Sequence, residues 1–390
     1  MDTSLQDAVE GWLVRGGTSR GLFVRRDALP DAPLDDLALE LFGSPDPIQV
    51  DGIGGSHSHT SKLMVVEGSD RAGVDLEYTF GQVGVTEATV DWSGNCGNLT
   101  SAVGAFGLLS GLVEAPGDDG EAAFTLYNTN TDTRVEQRVP VREGEPAVRG
   151  DYAIDGVAGT GARVDSRFLD PAGGVTGAPF PSGRVRETLT VDGREFEVSL
   201  VDVANPNVFV RASALGLDGT ELPAALGADG ELLELVERIR GAGAARMGLV
   251  DDPADARSER PGIPQIALVS PPQSYGMTTG GRVDASEVDL TSRIFTTGTP
   301  HHAYAMTGAM CLAAAARLPG TVPNAVAREG DGPVVVGHPK GRIAVEASVS
   351  GGEDPRVGSV SVGRTVRPLM AGEVFYRAKV VGGESPPGTR

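Results

Sequence analysis

The chain has 390 residues, more than one hydrophobic core usually serves, so two domains of similar size are expected. Acidic residues outnumber basic ones 53 to 33, a formal charge of −20, whose field disfavours a general nucleic-acid or anionic-membrane surface. Aromatic residues make up only 5% while glycines number 55, which suits a turn-rich β architecture and argues against a helical bundle.

The first residues, MDTSLQDAVE, lack a positive region followed by an apolar run, so no signal peptide is expected. Short β-like runs bounded by Gly, Pro and Asp follow: Trp12–Val14, Leu22–Arg25, Lys62–Glu67, Phe124–Asn128, Arg134–Val141, Glu195–Val203, Ile266–Ser270 and Val334–Val336. Two acidic-leucine stretches, Leu34–Phe42 and Glu231–Ile239, read as amphipathic helices. Two small-residue apolar stretches, Asn98–Val113 and Ala305–Leu318, have no polar face and should be helices buried nearly all round. The longest uncharged stretches, Asn95–Val113 and Pro300–Ala316, contain Gly and polar residues and fall short of the roughly 20 apolar residues a bilayer requires. The Pro/Gly-rich passage Asp170–Gly183 is the best candidate boundary between halves, and the tail Gly382–Arg390 reads as disordered.

The chain repeats itself. Leu22–Leu29 (LFVRRDAL) and Val208–Leu215 (VFVRASAL) agree at five of eight positions. Each is followed by an acidic-leucine helix and later by a buried apolar one. A helix wrapped by strands, made twice, fits this order. Cys96 and Cys311 are the only cysteines, so a disulfide framework is not expected, and a reducing cytoplasm is favoured.

Three segments carry residues suited to chemistry. Ser93-Gly94-Asn95-Cys96-Gly97-Asn98 stands before the first apolar helix, where free N–H groups favour a thiolate and admit a carboxylate. The plain alternative is a buried cysteine in a capped turn. Gly52–Lys62 (GIGGSHSHTSK) places three glycines, Ser56 and other hydroxyl residues before a lysine that opens an apolar strand. Partial desolvation there would lower the lysine pKa toward useful basicity, although most strand-end lysines are simply solvated. Arg15–Gly21 (RGGTSRG) offers Thr18, Ser19 and Arg20 to a carboxylate, or is a hairpin loop with exposed arginines. His57, His59, His301 and His302 form two close pairs, but no metal-binding signature accompanies them, so no metal is expected and His302 reads as a cap or substrate contact. No phosphate loop, nucleophile elbow or dinucleotide fingerprint is present, and no cofactor is expected.

Together RGGTSRG, GSPDPIQVDGIGGSHSHTSK, GNCGN, HHAYAMTGAMCLAAAARLPGTV and the late GRTVRPLMAGEVFYR resemble the PrpF family of 2-methylaconitate cis-trans isomerases and oxalomesaconate tautomerases, relatives of diaminopimelate epimerase. The likeness covers nearly the whole chain. It implies an α+β, diaminopimelate epimerase-like fold of two pseudo-symmetric domains, each a β-barrel-like sheet around a central helix. The expected division is 1–180, possibly completed by a C-terminal strand near 365–380, and 181–365.

The resemblance also implies that Lys62 and Cys96 are catalytic. Thr18, Ser19, Arg20, Ser56, Asn95, Gly97, Asn98, Asn205, His302, Met306 and Thr307 are the implied substrate-binding residues. Where epimerases of this fold carry a second thiol, this chain has Ala305, with Cys311 deeper in the helix, so two-thiol racemisation is not expected. Arg20 stands where many family members have lysine. The implied activity is a cofactor-independent isomerase or tautomerase moving an allylic proton on a small unsaturated di- or tricarboxylate. The alternatives are a non-catalytic carboxylate-binding protein, an amino-acid epimerase and a metal-dependent hydrolase. The expected partner is the small polycarboxylate itself, with a homodimer as the expected assembly.

Overall fold

The computed structural model describes residues 6–350 and 356–378. The expected disordered tail, Gly382–Arg390, lies outside the described residues.

The repeated octapeptides occupy equivalent places. Leu22–Arg25 ends the strand Ser19–Arg25 and runs into a 3-10 turn at Arg26–Ala28, while Val208–Arg211 ends the strand Asn205–Arg211 before a turn at Ala212–Leu215. Each strand is parallel to a partner, Leu63–Val66 in the first case and Gln265–Val269 in the second.

Side chains alternate across each strand, so both faces must be covered. Phe23 and Phe209 point into a shared inner core that holds both apolar helices. Leu22 and Val24 instead pack under the helix Leu34–Phe42, through Leu37, Leu41 and Phe42. Val208 and Val210 do the same beneath the helix Gly230–Arg246, through Leu232, Val236 and Ile239. Each fully buried side chain of this size contributes about 1.5–3 kcal/mol.

The first apolar helix departs from expectation. It is two pieces, Gly97–Thr100 and Val103–Leu109, and not one helix through Val113. Gln137 is the cause, because its amide enters the backbone ladder at the break. It donates to Thr100 O at 2.9 Å and accepts from Gly104 N at 2.8 Å. A side chain inserted into the ladder is a recognised origin of such a break. The second helix is continuous over Met306–Arg317, with all residues but Arg317 buried.

The last strand, Val357–Arg377, joins the halves. Ser359–Thr365 pairs with Arg163–Leu169, and Val366–Arg377 pairs with Gln6–Gly16. Its start, Val357–Ser361, also pairs with Glu346–Val349 of the second half. We propose the division 1–180 and 181–365, with this strand's later part returned to the first domain; Asp170–Gly183, which holds no named helix or strand, links the two. Among the described residues no helix is long and apolar enough to cross a membrane.

Candidate active site

Lys62 opens the strand Lys62–Gly68, opposite Gln82 on the neighbouring strand. Its Nζ donates to Gln82 Oε1 at 2.5 Å and lies 5.0 Å from the centre of the Phe80 ring. The Gln82 amide is itself fixed by donating to Ser58 O and Ser61 O, both at 3.0 Å. Burial lowers the Lys62 pKa from its ordinary 10.5, opposed by the nearby Cys96 and Asp91. An amine so placed sheds its proton more readily than a surface lysine.

Cys96 caps the short helix Gly97–Thr100 in an extended conformation, buried, with Sγ 3.9 Å from Ser19 Oγ. Cys96 is among the groups that hold the Lys62 pKa up against its burial, and both side chains line one cavity. Amine and thiol therefore share one cavity, which Ser19, Asn98, Met306 and Thr307 also line.

Asn98 orients the hydroxyl side of the cavity. Its Nδ2 donates to Thr18 Oγ1 at 3.1 Å and Ser19 Oγ at 3.5 Å, while its Oδ1 accepts from Arg364 Nε at 3.1 Å. The guanidinium has no acceptor role, so the bond from Arg364 settles which end of the Asn98 amide is oxygen. Arg364 is buried, and burial pushes its pKa down to about 10.

The second half supplies the opposite wall. Ala305 caps the helix Met306–Arg317 and faces the same cavity. The first intrahelical bond is Ala309 N to Ala305 O at 2.9 Å, which leaves the N–H groups of Met306, Thr307 and Gly308 without intrahelical acceptors. Cys311 lies away from the cavity with Sγ 3.4 Å from Val201 O, and burial raises its pKa.

Ser19, Lys62, Asn95, Cys96, Gly97, Asn98, Asn205, Met306 and Thr307 thus meet around one cavity. Asn205 has a different occupation from simple substrate contact. Its Oδ1 accepts from Asn95 N, and its Nδ2 donates to Asn95 O and Thr307 Oγ1, at 3.1 to 3.2 Å. It staples the two halves. Asn95 is spent similarly, bonding Tyr78 and Thr100 through its side chain.

Four expected residues stand apart. Thr18 borders a separate cavity beyond Asn98, which Arg364 and His338 also line. Arg20 packs under the Gly55–Thr60 loop, where an added Gly55 Cβ would come 2.6 Å from its Nη2. Ser56 and His302 line an outer cleft, with Ser56 Oγ bonded to Ile48 O at 3.0 Å. His302 is exposed there, in edge contact with His57 at 5.1 Å between ring centres.

Gln82, Asp91, Gln265 and Thr297 line the inner cavity but were not singled out from sequence, and His301, weighed there only as half of a metal-binding pair, lines it too. Asp91 bridges the halves, accepting from Ser93 N and Gly262 N at 2.8 Å each. Its place two residues before the SGNCGN motif was the available signal. Among the described residues no group of three or more His, Cys, Asp or Glu is arranged to hold a metal ion.

The model of the PrpF protein family matches residues 7–377. The 3-methylitaconate isomerase of Eubacterium barkeri is 38% identical, across 95% of this chain and 97% of that one. The 2-methyl-aconitate isomerase of Shewanella oneidensis is also 38% identical, with the same coverages. The crystal structure of a methylitaconate-delta-isomerase superposes with a TM-score of 0.79 at 37% identity, covering 98% of this chain and all of the other. A hydroxyproline epimerase from Agrobacterium vitis shares the fold at 13% identity, with a TM-score of 0.58 and coverages of 99% and 97%. The chain belongs to the PrpF family and is an isomerase built on the diaminopimelate epimerase-like fold.

Proposed function

We propose that this isomerase moves an allylic proton on a small unsaturated di- or tricarboxylate, with Lys62 as base and Cys96 as acid. The supporting observation is the juxtaposition of a desolvated amine and a thiol in the lining of one cavity. Neutral Lys62 takes the proton, and the C–H electron pair delocalises through the double bond into the carboxylate as a dienolate. Cys96 delivers its S–H proton to the far carbon of the allyl system, or to the original carbon after bond rotation. The ammonium of Lys62 then reprotonates the thiolate, which restores both groups.

Charge building on the carboxylate meets the N–H groups of Met306 and Thr307, which have no intrahelical acceptor, and the hydroxyl of Ser19. The negative global charge is overcome locally by these donors. No step requires a cofactor. The relatives named for 3-methylitaconate and 2-methyl-aconitate support the substrate class, and the individual acid is chosen within it. Two free, buried cysteines suit a reducing compartment.

Ala305 in place of a second thiol weighs against an amino-acid epimerase. The test is a panel of 2-methylaconitate, aconitate, 3-methylitaconate, oxalomesaconate, proline and diaminopimelate, each assayed with and without a chelator. Interconversion of at least one unsaturated acid, unaffected by chelator, is expected. Racemisation of an amino acid with no change in any unsaturated acid would overturn the proposal.

A further inference from the structure

His301 is held at two points, through its backbone and through its ring. Its backbone N–H donates to Ile294 O at 2.8 Å, which pins it to the strand Leu290–Thr296. Its ring Nδ1 accepts from Ala303 N at 3.1 Å. A nitrogen that accepts from an amide carries no proton, so in the neutral ring the proton must sit on Nε2. No protein group bonds Nε2 among the described residues, and His301 lines the cavity that holds Lys62 and Cys96.

We propose that His301 is a further catalytic residue, a neutral imidazole whose Nε2–H donates to the substrate carboxylate oxygen on which dienolate charge develops. This rests on the allylic proton transfer proposed above. The tautomer is set by the chain itself, because the Ala303 amide leaves Nδ1 only the acceptor role.

The surroundings keep the ring neutral. Burial lowers its pKa well below 6.5, and His59, Lys62, His338 and His302 each push in the same direction. His59 is held down to about 4 for similar reasons. Neutrality matters for catalysis. An imidazolium would bind the carboxylate of the ground state strongly, whereas a neutral donor gains most as charge accumulates in the transition state. Neutral imidazole acts as an electrophile in this way in other enzymes that abstract a proton beside a carbonyl.

The experiment compares wild type, His301→Leu and His301→Gln on the substrate found in the panel, with nitrogen-15 NMR of the imidazoles. Leu removes the donor; Gln returns an amide donor near the Nε2 position. Loss of one preorganised donor costs about 100- to 1000-fold in kcat. A fall of that size for His301→Leu with KM changed less than about threefold, and partial recovery in His301→Gln, is the expected result.

The NMR should show Nδ1 unprotonated and Nε2 protonated from pH 6 to 8, with the Nε2–H signal shifting when the saturated probe tricarballylate is added. Unchanged kcat in His301→Leu, or an Nδ1–H tautomer, would overturn the role of His301 while leaving Lys62 chemistry intact. Absence of turnover by the wild type on every unsaturated acid would overturn the underlying reaction, and the His301 role with it.

Discussion

Replacing Lys62 with methionine is expected to lower kcat by about 10²- to 10⁴-fold while leaving the protein folded. Methionine keeps the unbranched apolar stem between Phe80 and the strand but removes the amine. The amine has a depressed pKa and a cationic conjugate acid, and it shares the cavity with Cys96. Stability should be unchanged or slightly raised, since a buried amine pays for its desolvation and methionine does not. Gln82 loses its partner, but its amide stays bonded to Ser58 O and Ser61 O. The same reasoning fixes the sign of the wild-type pH profile. The base must be deprotonated, so activity rises with pH along an acid limb whose midpoint lies below 10.5. That limb should vanish in the residual activity of Lys62→Met, as read by steady-state kinetics across pH. A variant with normal turnover would remove Lys62 from the mechanism.

Gly16→Ala should damage both stability and activity. A Cβ at Gly16 would stand 2.3 Å from Asn98 O and 3.2 Å from Leu99 Cα, both backbone atoms that cannot swing aside. The start of the short helix Gly97–Thr100 must therefore move away from the strand Gln6–Gly16. That shift carries Cys96 and the Asn98 amide with it. Overpacking of this kind costs about 1–3 kcal/mol. A displacement near 1 Å at reacting groups costs on the order of 100-fold in rate. Calorimetry and kinetics on Gly16→Ala, with Gly117→Ala as reference, test this. Gly117 has nothing within 4 Å of an added Cβ and no positive φ, so that control should be close to wild type.

What sequence made legible follows from how far each feature depends on distant residues. The octapeptide repeat was readable because alternation along one strand decides which side chain faces the inner core, and Phe23 and Phe209 occupy that face in both copies. The helices Leu34–Phe42 and Met306–Arg317 were readable from local pattern. The break at Ser101 was not, because its cause is Gln137, on another strand. Lys62 and Cys96 stood out through their glycine-rich settings, and they do meet. Arg20 illustrates the opposite case. Its neighbour Ser19 faces the cavity, and alternation along the strand turns Arg20 toward the Gly55–Thr60 loop. Asn205 carried a true signal but an incomplete one, since only the paired half shows its amide bonded across to Asn95. His301 was passed over for His302 because adjacent histidines look alike until the Ala303 amide distinguishes them.

The central claim, proton transfer by Lys62 and Cys96 along an allylic system, is tested most directly by proton NMR in D₂O with the unsaturated acids of the panel. The account predicts deuterium at an allylic carbon of one acid, together with its isomer, in wild type and not in Lys62→Met. An acid that binds the wild type without acquiring deuterium or isomerising, for every member of the panel, would contradict it and identify a carboxylate-binding protein.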